Sequence, residues 1–210
     1  MKTIEYFYSA HSAFAYIGSK RVIEISKENN CRLVHRPVEL RAVVAAAGGL
    51  PTAERTIAHI DYYFGREIER WAELREAPIV NYRPTHHDKP LDLSNGMLIA
   101  AIEQGADIDA LSHGLLEAHW RDDADLDSRD ALAAAASAAG IDAAPLLEAA
   151  LSPPTQAIHQ ANTDEAIARG IFGSPTYFFD GDMFYGQDHL EMLERAIDRP
   201  FAANRFKNPA

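Results

Sequence analysis

The chain has 210 residues, of which 47% are hydrophobic and 24% charged, the composition of an ordinary globular protein with one large domain or one domain with a substantial insertion. Its formal net charge of −11 argues against general binding to nucleic acid and against binding to an anionic membrane surface. No apolar run approaches the length of a membrane span, and the first residues lead directly into a strand pattern, so we expect a cytoplasmic protein.

Residues 1–40 have the pattern of a strand, a helix and a second strand. Residues 3–8 and 32–38 are the two β-rich runs, and the stretch between them has helical periodicity. A crossover of this kind favours parallel pairing of the two strands.

A short polar loop, residues 9–12, joins the first strand to the first helix. Ser12 falls where an N-cap or first-turn residue is expected. Such a junction exposes backbone N–H groups and the positive end of the helix dipole, which together suit an anion. Ser12 is therefore either a plain capping serine or part of a binding site.

Cys31 is the only cysteine. A single cysteine cannot form an internal disulfide, a Cys-x-x-Cys redox pair or a cysteine-rich zinc site. Its position at the start of the second strand predicts an unreactive, buried or half-buried thiol. Any thiol chemistry must then come from outside the chain.

The middle of the chain is predicted to be almost entirely helical. Apolar residues recur at helical spacing, with Asp107 and Ser128 as expected capping residues and glycines as stop signals. A shorter helix is predicted at residues 145–150 and a longer one at residues 155–169.

The end of the chain predicts a hairpin followed by a helix. Strands are expected at residues 176–179 and 183–185, because the Asp180-Gly181 pair between two apolar runs is a strong hairpin signal. The last helix is expected at residues 187–197.

These elements together predict an α/β fold of the thioredoxin-like type, βαβ…ββα, with an all-helical insertion. The thioredoxin-like part would comprise residues 1–40 and 171–200, and the insertion about residues 41–170.

Pro175 stands directly before the strand at residues 176–179. Proline lacks an N–H group, so its place at the start of a buried strand calls for a structural reason. One reason is a cis Ser174-Pro175 bond, which would turn the backbone N–H and C=O of Ser174 towards a ligand. The alternative is an ordinary trans proline at the start of a strand.

Both ends of the chain carry motifs that resemble those of the 2-hydroxychromene-2-carboxylate isomerases, relatives of kappa-class glutathione transferases and of DsbA-like disulfide oxidoreductases. The N-terminal motif is a strand followed by Ser-Pro-Tyr-x-Tyr-Leu, and the matching run is Ser12-Ala13-Phe14-Ala15-Tyr16-Ile17. The C-terminal motifs match in the runs Gly173-Ser174-Pro175-Thr176-Tyr177 and Met183-Phe184-Tyr185-Gly186-Gln187-Asp188-His189-Leu190. Ala13 departs from the motif, which has proline there.

The resemblance implies that glutathione is the bound thiol and that Ser12 replaces the redox cysteine of the oxidoreductases as the catalytic residue. A hydroxyl that donates to sulfur, at a helix N-terminus, stabilises a thiolate. Ser174 and Pro175 would offer backbone to the cysteinyl part of glutathione. Gln187 and Asp188 would bind its γ-glutamyl end, although Asp188 could also be a first-turn acid that favours the helix dipole.

His11, Phe14 and Tyr63 are the candidates for contact with a small aromatic substrate. Tyr63 belongs to a segment that resembles the motif Tyr-x-x-x-Asp-x-x-Arg-Trp-Ala, and His11, beside Ser12, is either an acid/base group or an ordinary loop residue. The residue for the glycyl carboxylate is unassigned, with Arg55 as a candidate.

Other conspicuous residues are not expected to bind ligands. The His86-His87-Asp88 run lacks a third ligand at helical spacing, so we predict no metal site. Trp71 and Trp120 are expected to pack in the interior.

The implied reaction is the glutathione-dependent cis–trans isomerisation of an aromatic pyruvylidene acid in aromatic compound degradation. Two alternatives remain open: a kappa-like glutathione transferase or peroxidase, and a thioredoxin-like binding module without catalysis. The resemblance also implies a homodimer.

Overall fold

The computed structural model describes residues 1–207 and has the α/β, thioredoxin-like fold that the sequence predicts. Four strands form one mixed sheet in the order β2-β1-β3-β4. Their bounds are Lys2–Tyr8 (β1), Cys31–Pro37 (β2), Thr176–Phe179 (β3) and Asp182–Tyr185 (β4). Strand β1 lies parallel to β2, as the βαβ pattern predicts, and antiparallel to β3.

Helices connect and cover this sheet. Helix α1 (Ala13–Glu28) follows β1, and α10 (Leu190–Asp198) ends the fold. The helices between β2 and β3 are α2 (Leu40–Ala46), α3 (Ile57–His59), α4 (Glu67–Leu74), α5 (Asp92–Glu103), α6 (Asp109–Asp122), α7 (Arg129–Ala138), α8 (Ala143–Ala149) and α9 (Pro153–Ala168). A π-helical segment, Ile60–Arg66, joins α3 to α4, and 3₁₀ turns occupy Thr52–Glu54 and Gln187–His189.

The predicted element ends are correct to within one or two residues, with two differences. The last helix begins with the 3₁₀ turn at Gln187–His189 before it becomes α-helical at Leu190. Asp107 is not the N-cap of α6: that position is Ile108, although the Asp107 carboxylate still accepts the N–H of Asp109 at 3.1 Å. Ser128 caps α7 as expected.

The β3–β4 hairpin turns at Asp180 and Gly181, as predicted. Both residues have positive φ, 51° and 84°, the backbone that a two-residue turn between twisted strands requires. Glycine adopts it without steric cost, and aspartate is among the few other residues that tolerate it.

The sheet register places the candidate residues together. Phe7 near the end of β1 pairs with Thr176 at the start of β3, so the loop that leaves β1 lies beside Pro175. One face of the sheet carries stacked, buried tyrosines: the rings of Tyr6 and Tyr8 lie 4.1 Å apart, and those of Tyr6 and Tyr177 5.2 Å apart. This aromatic layer packs against α1, where the Tyr6 hydroxyl donates to the carbonyl of Ala15 at 3.5 Å.

Within residues 1–207, none of the helices combines the length and the apolar character that crossing a membrane would need.

Candidate functional site

Ser12 is the N-cap of α1, at the junction that the sequence singles out. Its side-chain oxygen accepts the N–H of Ala15 at 3.2 Å and donates to the carbonyl oxygen of Ser174, also at 3.2 Å. The carbonyl of Ser12 accepts the N–H of Tyr16. The capping hydroxyl thus faces the loop before β3, and the first N–H groups of α1 are left for another partner.

The Ser174-Pro175 bond is cis, one of the two alternatives that the sequence left open. The carbonyl of Pro175 accepts the N–H of Gly186 at 2.9 Å, which ties this loop to the end of β4. The Ser174 hydroxyl is buried and has no hydrogen-bond partner within residues 1–207. A buried hydroxyl without a hydrogen-bond partner costs free energy, so it is an uncommon feature that calls for an explanation at this loop.

Gln187 is fully buried, and its side chain has a structural part. Its Oε1 accepts from Nε of Arg75 at 3.1 Å, and its carbonyl accepts from the same guanidinium at 3.2 Å. Arg75 also forms an ion pair with Glu191 at 2.6 Å. The side-chain Oε1 and the backbone carbonyl of Gln187 are therefore both engaged by Arg75.

Asp188 follows in the same turn, with its side chain about half exposed. Its nearest ionic partner is the ring of His189, 3.4 Å away. The carboxylate is thus open to a cationic group at the start of the last helix, the place that the γ-glutamyl prediction requires.

Aromatic side chains from three parts of the chain line one side of this region. The rings of Phe14 and Tyr63 lie 5.1 Å apart, and the hydroxyls of Tyr63 and Tyr185 are 3.2 Å apart. Phe172 packs on Tyr185 at 4.4 Å. Burial, and next the hydrogen bond with Tyr185, raise the pKa of Tyr63, so its hydroxyl is neutral.

Tyr185 is a site residue that the sequence reasoning missed. It lies in the C-terminal motif that resembles the isomerases, and this motif is the sequence feature from which its place at the site could have been predicted. The ring of Tyr185 packs directly on Gly173, where a side chain would not fit: a Cβ atom there would lie 2.5 Å from the ring.

His11 lies on the other flank of Ser12, and it is buried. Its Nδ1 is 3.2 Å from Oγ of Ser9, and its carbonyl accepts the indole N–H of Trp120 at 2.9 Å. Its ring contacts that of His87, with centroids 4.7 Å apart. Burial, and next the neighbouring His87, lower the pKa of His11 well below the usual value, so this imidazole is neutral.

His87 and His119 continue this cluster, which the sequence did not predict. Nδ1 of His87 is 3.0 Å from Nε2 of His119, and Nδ1 of His119 is 3.0 Å from the carbonyl of Ala124. His86 lies apart from it, 3.9 Å from Asp125. No group of three or more potential metal ligands with suitable geometry occurs within the described part of the chain.

The remaining candidates lie away from Ser12 or pack in the protein. Trp120 is buried, as expected, and Trp71 is half-buried, with the Arg75 guanidinium 5.7 Å from its ring. Arg55 donates to the carbonyl of Leu50 at 2.9 Å and stacks on Phe64. Cys31 is buried at the start of β2, where burial raises the pKa of its thiol.

A hydroxyl at the N-terminus of α1, facing a cis-proline loop on a thioredoxin-like sheet, defines the class of this protein. The chain belongs to the DsbA-like thioredoxin domain family, whose family model matches residues 3–198.

Relatives within this fold include isomerases and oxidoreductases. The chain is 26% identical over 194 residues to the 2-hydroxychromene-2-carboxylate isomerase of Sphingobium xenophagum, covering 92% of this chain and 96% of that protein. A solved 2-hydroxychromene-2-carboxylate isomerase has a TM-score of 0.77 at 22% identity, covering 94% of this chain and 95% of that one. A probable DsbA oxidoreductase from Streptomyces coelicolor has the same TM-score, 0.77, at 17% identity, covering 100% and 94%. The resemblance drawn from the motifs is confirmed.

Proposed function

We propose that this protein is a glutathione-dependent cis–trans isomerase of the 2-hydroxychromene-2-carboxylate type. The observation that carries the proposal is the position of Ser12, whose hydroxyl caps α1 and lies 3.2 Å from the carbonyl of Ser174. The names of its curated relatives, at 26% identity, support the same reaction.

The residues around Ser12 fit a bound thiol better than a redox disulfide. Cys31, the only cysteine, is buried at the start of β2. Dithiol chemistry needs two cysteines, whereas a hydroxyl donor at a helix N-terminus lowers the pKa of a thiol that comes from outside. This contrast favours the isomerase over the oxidoreductase relatives.

The same residues fit the tripeptide glutathione. The backbone of Ser174, next to the cis bond and facing the Ser12 hydroxyl, suits its cysteinyl part. The Gln187–Asp188 turn offers N–H groups to the γ-glutamyl carboxylate, and the half-exposed Asp188 carboxylate suits the adjacent ammonium.

Glutathione, when bound, supplies a thiol that adds reversibly to a conjugated double bond and so permits rotation. The chain's own residues bind and orient the reactants. With glutathione bound, the Ser12 hydroxyl would donate its hydrogen bond to the sulfur instead of to the Ser174 carbonyl, and the N-terminus of α1 would favour negative charge there. Phe14, Tyr63 and Tyr185 form an apolar wall for an aromatic ring.

Two measurements test the proposal together. Calorimetric titration with glutathione should show binding, and trans-o-hydroxybenzylidenepyruvate should be isomerised without net loss of glutathione. Stoichiometric consumption of glutathione would instead indicate the kappa-like transferase or peroxidase. Absence of binding would leave a thioredoxin-like module without this catalysis.

The proposal includes two further features: a homodimer, which the family resemblance implies, and a cytoplasmic location, which we expect from the sequence. Light scattering of the purified protein tests the first, since a monomeric mass at micromolar concentration would contradict it. Fractionation of the cells that produce it tests the second.

A further inference from the structure

Residues 9–12, which lead from β1 to the start of α1, form a tight turn. The N–H of Ser12 donates to the carbonyl of Ser9 at 3.0 Å, the hydrogen bond that closes a four-residue turn. Its central residues, Ala10 and His11, are buried, so the N–H of Ala10 and the carbonyl of His11 need partners from elsewhere. Because a peptide unit is planar, whatever holds the His11 carbonyl also holds the N–H of Ser12.

Two side chains from the helices between β2 and β3 supply these partners. The N–H of Ala10 donates to Oδ1 of Asn95 in α5 at 3.1 Å. The carbonyl of His11 accepts from Nε1 of Trp120 in α6 at 2.9 Å. Both side chains are buried. The turn before Ser12 is therefore held at both of its central residues from outside the βαβ unit that contains it.

The orientation of the Asn95 amide is fixed by its neighbours. The backbone N–H of Ala10 only donates, so the amide oxygen faces it, and Nδ2 donates to the carbonyl of Val38 at 3.1 Å. Nδ2 also lies 3.1 Å from Nε2 of His159 and 3.5 Å from Oγ of Ser9. An ionised aspartate would only accept and a leucine would do neither, so an amide suits this position.

Helix α5 is itself closely packed against its neighbours. A Cβ atom on Gly96 would overlap the carbonyl of Ala150, so the backbone of α5 lies directly against the end of α8. The Gln156 amide donates to the same carbonyl at 2.8 Å and to the carbonyl of Asp92, the first residue of α5, at 3.1 Å. Asn95 is thus presented from a helix that has little freedom to shift, as a positioning contact requires.

We propose that Asn95 and Trp120 are positioning residues for Ser12, because they hold the turn that directs its hydroxyl towards the sulfur of glutathione. This inference rests on the proposed function and adds to it a part for the helices between β2 and β3 in the thiol chemistry. Without either contact the turn has more freedom, so the hydroxyl spends less time in the direction of the sulfur and stabilises the thiolate less.

The pKa of the thiol of bound glutathione measures this role, because a loss of stability alone does not change it. It is obtained by titrating the ultraviolet absorbance of the thiolate in protein saturated with glutathione. In Asn95→Leu and in Trp120→Phe this pKa should exceed the wild-type value by about one pH unit, the scale of one net hydrogen bond. An unchanged pKa in either folded variant removes that residue from the role, and an unchanged pKa in both overturns the inference.

Asn162→Leu is the matched control for Asn95→Leu. Asn162 is also a buried asparagine, and its Nδ2 donates to the carbonyl of Pro37 at 3.2 Å. Both variants should lose stability in urea unfolding, and Asn162→Leu should leave the thiol pKa unchanged. An equal rise in the two variants would mean general damage and would contradict the inference. If Asn95→Leu does not fold, Asn95→Ala removes the same amide with a smaller side chain.

Hydrogen exchange in the protein without glutathione separates this inference from the proposed function. The N–H of Ser12, which is bonded to the carbonyl of Ser9, should exchange about tenfold faster in Asn95→Leu than in Asn162→Leu. A wild-type protein that binds no glutathione would contradict the proposed function, and faster exchange would still support the role of Asn95. Equal exchange in the two variants would overturn the inference whether or not glutathione binds.

Discussion

At the scale of single residues, the proposed function depends first on the hydroxyl of Ser12. We expect Ser12→Ala to lower turnover by about 2–4 kcal/mol of transition-state stabilisation, the scale for one aimed donor, with a smaller effect on glutathione affinity. The variant also removes an N-cap, which costs about 0.5–2 kcal/mol of stability.

Ser128→Ala is the matched control for this prediction, because Ser128 caps α7 in the same manner. Both variants should lose similar stability in urea unfolding, and only Ser12→Ala should lose turnover. Near wild-type turnover of Ser12→Ala at pH 7 would remove Ser12 from the mechanism and make His11 the next candidate.

Cys31 gives the opposite prediction, that a conspicuous residue has no catalytic part. Its thiol is buried and has a raised pKa, so little reactive thiolate is present. We expect Cys31→Ser to retain full isomerase activity. We also expect the wild-type protein not to catalyse dithiol–disulfide exchange in an insulin-reduction assay. Loss of turnover in Cys31→Ser would contradict this assignment.

At the scale of elements, Arg75 at the end of α4 holds the turn that precedes α10. It donates to the side chain and the carbonyl of Gln187 and forms an ion pair with Glu191. We expect Arg75→Ala to cost about 1–3 kcal/mol of stability, because it leaves the buried Gln187 oxygen unsatisfied.

The same variant should weaken glutathione binding by loosening the Gln187–Asp188 turn, which calorimetry measures directly. Arg66→Ala is the control, since Arg66 makes an exposed i,i+3 pair with Glu69 and should change stability by less than about 0.5 kcal/mol. Unchanged affinity in a folded Arg75→Ala protein would show that this turn does not contribute to the binding site.

At the scale of the whole molecule, the buried histidines make stability depend on pH. The pKa of His87 is lowered to about 3, mainly by burial, and those of His11 and His119 are lowered too. Below about pH 6.5 the unfolded chain binds protons that the folded protein does not, so stability falls as the pH falls.

Between pH 7 and pH 5 we expect His87 alone to account for about 2 kcal/mol of lost stability. Urea unfolding at the two pH values measures the loss, and His87→Asn should reduce it. An equal loss in the variant and the wild-type protein would mean that His87 is not held neutral in the folded state.

Local sequence was sufficient for the elements and for part of the site. A few neighbouring residues were enough to predict three features: the Asp180-Gly181 turn, the capping serine before α1 and a special backbone at the proline before β3. Each of these features depends on local steric or hydrogen-bonding requirements. The residues around Pro175 left a cis and a trans bond open, and the cis bond that the structure has was implied by the family resemblance.

Contacts between distant parts of the chain were decided only by the tertiary structure. Ser12 and Ser174 are 162 positions apart in sequence, and their contact depends on the antiparallel register of β1 and β3. Nothing in the sequence relates His87 to His119, and only the position of α6 places Nε2 of His119 3.0 Å from Nδ1 of His87. The Ala124 carbonyl only accepts, so Nδ1 of His119 carries a proton and Nε2 of His119 accepts from Nδ1 of His87. Periodicity and spacing along a sequence do not encode the direction of these hydrogen bonds.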